Sequence, residues 1–138
     1  MTKRFRLERM VNFADCDPAQ IVYYPRFYDW FDRATEAMFR SVGIAIEELY
    51  KGDQCNGMPL IETSAKYMFP CRFGDTVEIE SWIDDFDGKR FTVRHDVHNR
   101  GRHAVEGREV RVWVVQDPER PAGIRAVPVP PEVLAKFE

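Results

Sequence analysis

Pro25-Arg26-Phe27-Tyr28-Asp29-Trp30-Phe31-Asp32-Arg33-Ala34-Thr35-Glu36-Ala37-Met38-Phe39-Arg40-Ser41-Val42-Gly43 is the one long stretch of helical periodicity in this chain. Pro25 suits a first helical turn, where its missing N–H would have no partner in any case. Phe27, Trp30, Phe31, Ala34, Met38 and Val42 follow at three- and four-residue spacings, and Gly43 is a natural stop. An apolar face this wide needs a sheet or another helix to cover it.

Upstream of the helix, Phe5, Leu7, Arg9, Val11 and Phe13 fall on alternate positions of Lys3 to Phe13. A period of two predicts a half-buried strand. It ends in Ala14-Asp15-Cys16-Asp17-Pro18, a turn-forming cluster. Downstream, Ile44 to Tyr50 can add a turn or two of helix, and Gly52 and Gly57 bracket a loop. Strands are then predicted over Met58 to Phe69, along Val77-Ile79-Ser81-Ile83, along Phe91-Val93-His95-Val97, from Ala104 through Val115, and near Ile124 to Val127. Asp87-Gly88 is a strong hairpin signal. Pro128, Pro130 and Pro131 end the last strand, and Glu132 to Phe137 can close as a short helix. The expectation is a single α+β domain over residues 1–138, one long helix packed on a curved antiparallel sheet of five or six strands. The other sheet face carries alternating charges and is expected to be solvated or paired with a second subunit.

A length of 138 residues suits one domain. With 44% hydrophobic and 31% charged residues, the chain has the core formers that a disordered sequence lacks. Twenty basic against 23 acidic residues give a net charge of −3, so there is no broad basic field for nucleic acid. No apolar run approaches the ~18 residues of a membrane-spanning helix. The basic start, Met1 to Arg6, has no apolar stretch behind it and does not read as a secretory signal. Cys16, Cys55 and Cys71 form no CxxC, and no histidine stands at metal-ligand spacing from them. Reduced thiols in a cytoplasmic protein, without structural zinc, are expected.

Chemistry concentrates between the first strand and the helix, in Asn12-Phe13-Ala14-Asp15-Cys16-Asp17-Pro18-Ala19-Gln20-Ile21-Val22-Tyr23-Tyr24-Pro25. Helix N-termini present unpaired N–H groups and a partial positive charge, so the amides near Tyr24 can hold a developing oxyanion. A carboxylate a few residues upstream can attack the same carbonyl or activate water beside it. Asp15 and Asp17 serve equally well as turn and capping residues, and spacing alone does not choose between these roles.

The run Asp15-Cys16-Asp17-Pro18-Ala19-x-Ile21-Val22-x-Tyr24-Pro25, with Trp30 and Asp32 beyond it, resembles the signature of the 4-hydroxybenzoyl-CoA thioesterase family, most closely its Pseudomonas-type members. The resemblance implies a hotdog fold and hydrolysis of an aromatic acyl-CoA. By position it makes Asp17 the nucleophile or general base and the Tyr24 backbone N–H the group polarising the carbonyl. Asp32 would face the acyl pocket and accept a bond from a phenolic hydroxyl, unless it is simply a solvated helix carboxylate. Lys89, and less closely Arg90, match a basic stretch that contacts the coenzyme A nucleotide. The same two residues also suit a solubilising turn. Gln20 departs from the family's usual Gly, and its side chain could crowd the thioester or reach into the acyl pocket. The resemblance implies no cofactor, coenzyme A being part of the substrate. It also implies a homodimer or a dimer-of-dimers homotetramer with sites between subunits. A short- or medium-chain aliphatic acyl-CoA thioesterase, or a non-catalytic acyl-thioester binding module, would use the same fold.

His95 and His98 are three apart and face opposite sides of a strand, so no shared metal site is expected. Cys16 lies between two carboxylates, whose charge raises a thiol pKa and disfavours a nucleophilic thiolate.

Overall fold

In a computed structural model, residues 3–138 are described, and Met1 and Thr2 of the basic start lie outside them. Helix α1 spans Pro25–Ser41. Its N-terminus is set by Pro25, which lacks the N–H an interior position would need. Its C-terminus is a Schellman turn: Gly43 takes φ +89°, its N–H donates to the Arg40 carbonyl, and Ile44 N–H donates to the Phe39 carbonyl. A short helix α2 follows over Ile46–Leu49.

Five strands form one antiparallel sheet: β1 (Phe5–Met10), β2 (Leu60–Tyr67), β3 (Thr76–Asp87), β4 (Arg90–Asn99) and β5 (Arg102–Val112). Their spatial order is β1-β3-β4-β5-β2. Val77, Ile79, Val93 and Val97 point inward on β3 and β4 and are fully buried under α1. This is the helix-on-sheet arrangement expected from the periodicities.

The inner layer divides along the helix. Phe27, Trp30, Phe31 and Ala34 pack with Ile79, Val97 and Val105 in one cluster, while Met38 and Phe39 pack with Ile83, Val93 and Trp113 in another. Between them, at the inward positions of successive strands, lie Ser81 on β3, His95 on β4 and Glu109 on β5, with Thr35 of α1 beneath. A polar band therefore crosses an otherwise apolar core.

Two expectations are corrected. The first strand stops at Met10, and Phe13 lies in a 3-10 turn, 79% exposed, against the edge of Phe73. The turn is enforced by Asp15, whose side chain accepts the Asn12 N–H at 2.8 Å. The strand expected from Ala104 to Val115 breaks at Trp113. This buried indole donates through Nε1 to the Gln54 carbonyl, and its backbone N–H turns to the Lys89 carbonyl. Past it, β6 (Val114–Gln116) pairs with β7 (Ile124–Ala126) in a separate two-stranded sheet. A short helix α3 (Pro131–Leu134) then carries Val133 and, beyond it, Phe137 into the core.

Candidate active site

The bend between β1 and α1 is tied down on both sides. Asp17 N–H donates to the Ile21 carbonyl at 3.0 Å and Gln20 N–H to the Asp17 carbonyl at 2.8 Å. Val22 N–H reaches the Cys71 carbonyl, and Tyr23 N–H reaches the Asp15 carbonyl. The two carboxylates are used differently. Asp15 is buried and committed to Asn12 N–H and to Arg9, 3.6 Å away. Asp17 is half-buried and accepts only the Ala19 N–H, on Oδ1 at 2.8 Å, so Oδ2 is unpaired among the described residues.

The helix start leaves one donor over. Pro25 has no N–H, Arg26 donates to the Tyr23 carbonyl and Phe27 to the Tyr24 carbonyl. The Tyr24 N–H has no partner among the described residues. Asp17 and Tyr24 line the same cavity of about 440 Å³, whose walls include Phe27, Tyr67, Phe69 and Cys71. An unpaired carboxylate oxygen, an unpaired amide at the positive end of a 17-residue helix and apolar walls are what an addition to a carbonyl requires.

The neighbouring thiols are poor nucleophiles. Burial, then the carboxylates of Asp15 and Asp17, push the Cys16 thiol up, as its flanking charges predict. Burial raises Cys71 to about 11. Tyr67, in the cavity wall, is held above the usual phenol range first by burial and then by the neighbouring Tyr28.

Gln20 sits at φ +66°, the left-handed region that favours Gly. Its side chain is exposed and borders a groove lined by Phe13, Phe73 and Asp17 itself, and it does not line the cavity that Asp17 shares with Tyr24. The left-handed backbone is one physical reason why glycine suits this position.

Asp32 lies elsewhere. It is eight residues past Tyr24, about 12 Å along the helix axis. It lines a second cavity of about 330 Å³ together with Thr35, Tyr50, Met58 and Arg111. Its carboxylate accepts Arg111 Nη2 at 2.7 Å. Lys89 and Arg90 are further away still. The acidic bend lies by the Arg72–Thr76 end of β3, while Lys89 and Arg90 follow its Asp87 end, about 35 Å along the strand. One subunit thus unites Asp17 with Tyr24 and leaves Asp32, Lys89 and Arg90 apart from them.

Sequence reading missed Glu109 and Arg111. Glu109 is 2% exposed; its Oε1 meets His95 Nε2 at 2.9 Å and accepts the Thr35 hydroxyl, and its Oε2 accepts Arg111 Nη2 at 2.8 Å. Charged residues on the inward-facing positions of a strand were the signal available. The apolar walls at Tyr67 and Phe69 were missed too, because they come from a distant strand. Asp96, His103 and Glu106 bring potential metal ligands within 4.8 Å of one another on the outer sheet face, where Asp96 and His103 already pair at 2.9 Å.

Comparison with known proteins adds the family. The profile of the thioesterase-like superfamily matches residues 11–137. The chain is 26% identical to the 4-hydroxybenzoyl-CoA thioesterase of Pseudomonas sp. (strain CBS-3), over 97% of both chains. A crystal structure of a 4-hydroxybenzoyl-CoA thioesterase mutant complexed with 4-hydroxybenzoyl-CoA superposes with a TM-score of 0.89 at 26% identity, covering 99% of this chain and 100% of that one. A gentisyl-coenzyme A thioesterase superposes with a TM-score of 0.80 at 30% identity, covering 96% and 98%. The chain therefore belongs to the thioesterase-like superfamily, as a thioester hydrolase of hotdog fold.

Proposed function

We propose that the protein hydrolyses an aromatic acyl-CoA bearing a ring hydroxyl, of the 4-hydroxybenzoyl kind, to the free acid and coenzyme A. The observation that carries this reading is the meeting of the unpaired Asp17 oxygen and the unpaired Tyr24 N–H in one apolar cavity. Asp17 takes a proton from water as the hydroxyl adds to the thioester carbon, or adds to that carbon itself. The Tyr24 N–H donates to the oxyanion that forms. Collapse breaks the C–S bond and releases the thiolate, which takes up a proton. If Asp17 adds directly, water then cleaves the resulting anhydride. A carboxylate and an amide suffice for these steps, so the reading invokes no metal or redox cofactor. The two relatives described above act on hydroxylated aromatic acyl groups by their names, which supports the same class of acyl group here.

Asp32 is the acceptor for the ring hydroxyl, and Lys89 and Arg90 bind the coenzyme A phosphates. Because neither adjoins Asp17 within a subunit, the reading requires a homodimer, and dimers can pair further into a tetramer. The outer edge of β2 supports this: β2 pairs only with β5, and Leu60, Ile61, Tyr67 and Met68 on or beside it are each 46–50% exposed. Three free cysteines suit a reducing compartment such as the cytoplasm. No helix among the described residues is long and apolar enough to cross a membrane.

The test is thiol release from 4-hydroxybenzoyl-, gentisyl-, benzoyl- and straight-chain acyl-CoA by the wild type and by Asp17→Asn. The amide keeps the shape and removes the basic oxygen, so a loss of about 100-fold or more is expected. Hydrolysis by the variant at the wild-type rate removes Asp17 from the mechanism. Faster turnover of the straight-chain esters overturns the aromatic assignment.

A further inference from the structure

The polar band inside the core ends at the second cavity. Ser81 Oγ meets His95 Nδ1 at 2.7 Å, and His95 Nε2 meets Glu109 Oε1 at 2.9 Å. With a carboxylate at that distance, Nε2 carries a proton whether the ring is neutral or charged. Thr35 donates to the same oxygen. The other oxygen of Glu109 accepts Arg111 Nη2, which also donates to Asp32, while Arg111 Nη1 donates to the Met58 carbonyl at 2.8 Å. Ser81 and His95 have no measurable exposure, Thr35 and Glu109 have 2%, and Arg111 has 9%. Asp32, at the end of the chain, is the exposed member, with 68% of its side chain accessible.

A buried carboxylate with this many donors is costly to assemble, and a hydrophobic core layer would serve packing equally well. What the band does beyond packing is set Arg111. The guanidinium is held by Glu109 and the Met58 carbonyl from the core side, so it cannot follow Asp32 into solvent. Its Nη2 is shared between Glu109 Oε2 at 2.8 Å and Asp32 Oδ1 at 2.7 Å, which leaves the second Asp32 oxygen without a partner among the described residues.

We propose that Glu109 and Arg111 are positioning residues for substrate selection: the core band fixes Arg111, and Arg111 fixes the Asp32 carboxylate at the cavity wall as the acceptor for an acyl hydroxyl. This rests on the reading of Asp32 given above. Discrimination between a hydroxylated acyl group and its unsubstituted analogue is then controlled from residues that touch neither.

The test compares kcat/KM for 4-hydroxybenzoyl-CoA and benzoyl-CoA in the wild type, Asp32→Asn, Glu109→Gln and the double variant. Glu109→Gln is expected to lower the ratio of the two by about tenfold, as loss of a well-aligned charge-assisted bond would. In the Asp32→Asn background it is expected to change the ratio no further. Thr35→Val, which removes one donor and keeps every charge, is expected to shift the ratio the same way by about twofold to threefold, and it carries the test if Glu109→Gln does not fold. A Glu109→Gln variant that slows both substrates alike overturns the proposal and leaves the Asp32 reading standing. So does one that shifts the ratio equally with and without Asp32. If Asp32→Asn itself leaves the ratio unchanged, the Asp32 reading fails, and the positioning role with it.

Discussion

Phe31 occupies the space that a side chain at Gly107 would fill: a Cβ at Gly107 would overlap Cε2 and Cζ of the Phe31 ring. Gly107 pairs in register with His95, and Phe31 stacks on the His95 imidazole at 4.8 Å and 9°. The missing side chain on β5 thus lets the central helix lie close against the β4–β5 pair, beside the polar band.

Gly107→Ala is accordingly expected to lower the unfolding free energy by about 2 kcal/mol, through overpacking against a ring with no room to move. Gly107 has no positive φ, so backbone conformation does not contribute. Urea unfolding checks this, and Phe31→Leu should recover part of the loss in the double variant. Full stability in Gly107→Ala would mean that the helix stands further from the sheet.

Glu109 gives stability a defined acid dependence. Burial alone would raise its carboxyl, but the hydrogen bond and charge of His95, with Arg111 and Thr35, hold it at about 2 against an ordinary 4.5. The folded state therefore binds the proton less readily than the unfolded chain. The stabilisation is present above pH 4.5 and is lost as the pH falls from 4.5 to about 2. It amounts to something on the order of 3 kcal/mol. Wild-type and Glu109→Gln unfolding free energies, followed from pH 6 downward, should converge over that window. Parallel curves would show that Glu109 contributes no such slope.

The distance between Asp17 and Lys89 makes the subunit origin of each site testable. Asp17→Asn and a Lys89→Ala/Arg90→Ala variant are each expected to lack an efficient site as pure homodimers. Refolded together, they should regain activity with a wild-type KM, because one of the two sites in a mixed dimer then combines an intact Asp17 with an intact basic turn from the other chain. Cis sites would give no such recovery. The KM effect of the Lys89/Arg90 change should weaken with added salt, since exposed charges are screened over ~10 Å at 0.1 M.

The amphipathic helix from Pro25, the alternating strands and the acidic bend were all legible in the chain itself, because each is written in residues close together along it. The two aspartates eight and ten residues before the helix were legible as candidates for turn or chemistry, but not which of them would take which role. The break at Trp113 was not legible, because the partners that bend the chain there, Gln54 and Lys89, are remote in sequence. Phe13 satisfied the strand period and still left the strand, since one local carboxylate, Asp15, closes a turn in front of it.

Local order along the chain determined the helix, the strands and the presence of a carboxylate just before a helix N-terminus, since period and turn chemistry act over a few residues. Tertiary structure alone decided that Asp15 is spent on the turn while Asp17 keeps a free oxygen in a cavity. It alone aligned Ser81, His95, Glu109 and Arg111 from three strands into one band reaching Asp32. The reason is physical: a buried polar group is tolerated only with partners, and those partners sit on neighbouring strands whose separation along the chain carries no local signal.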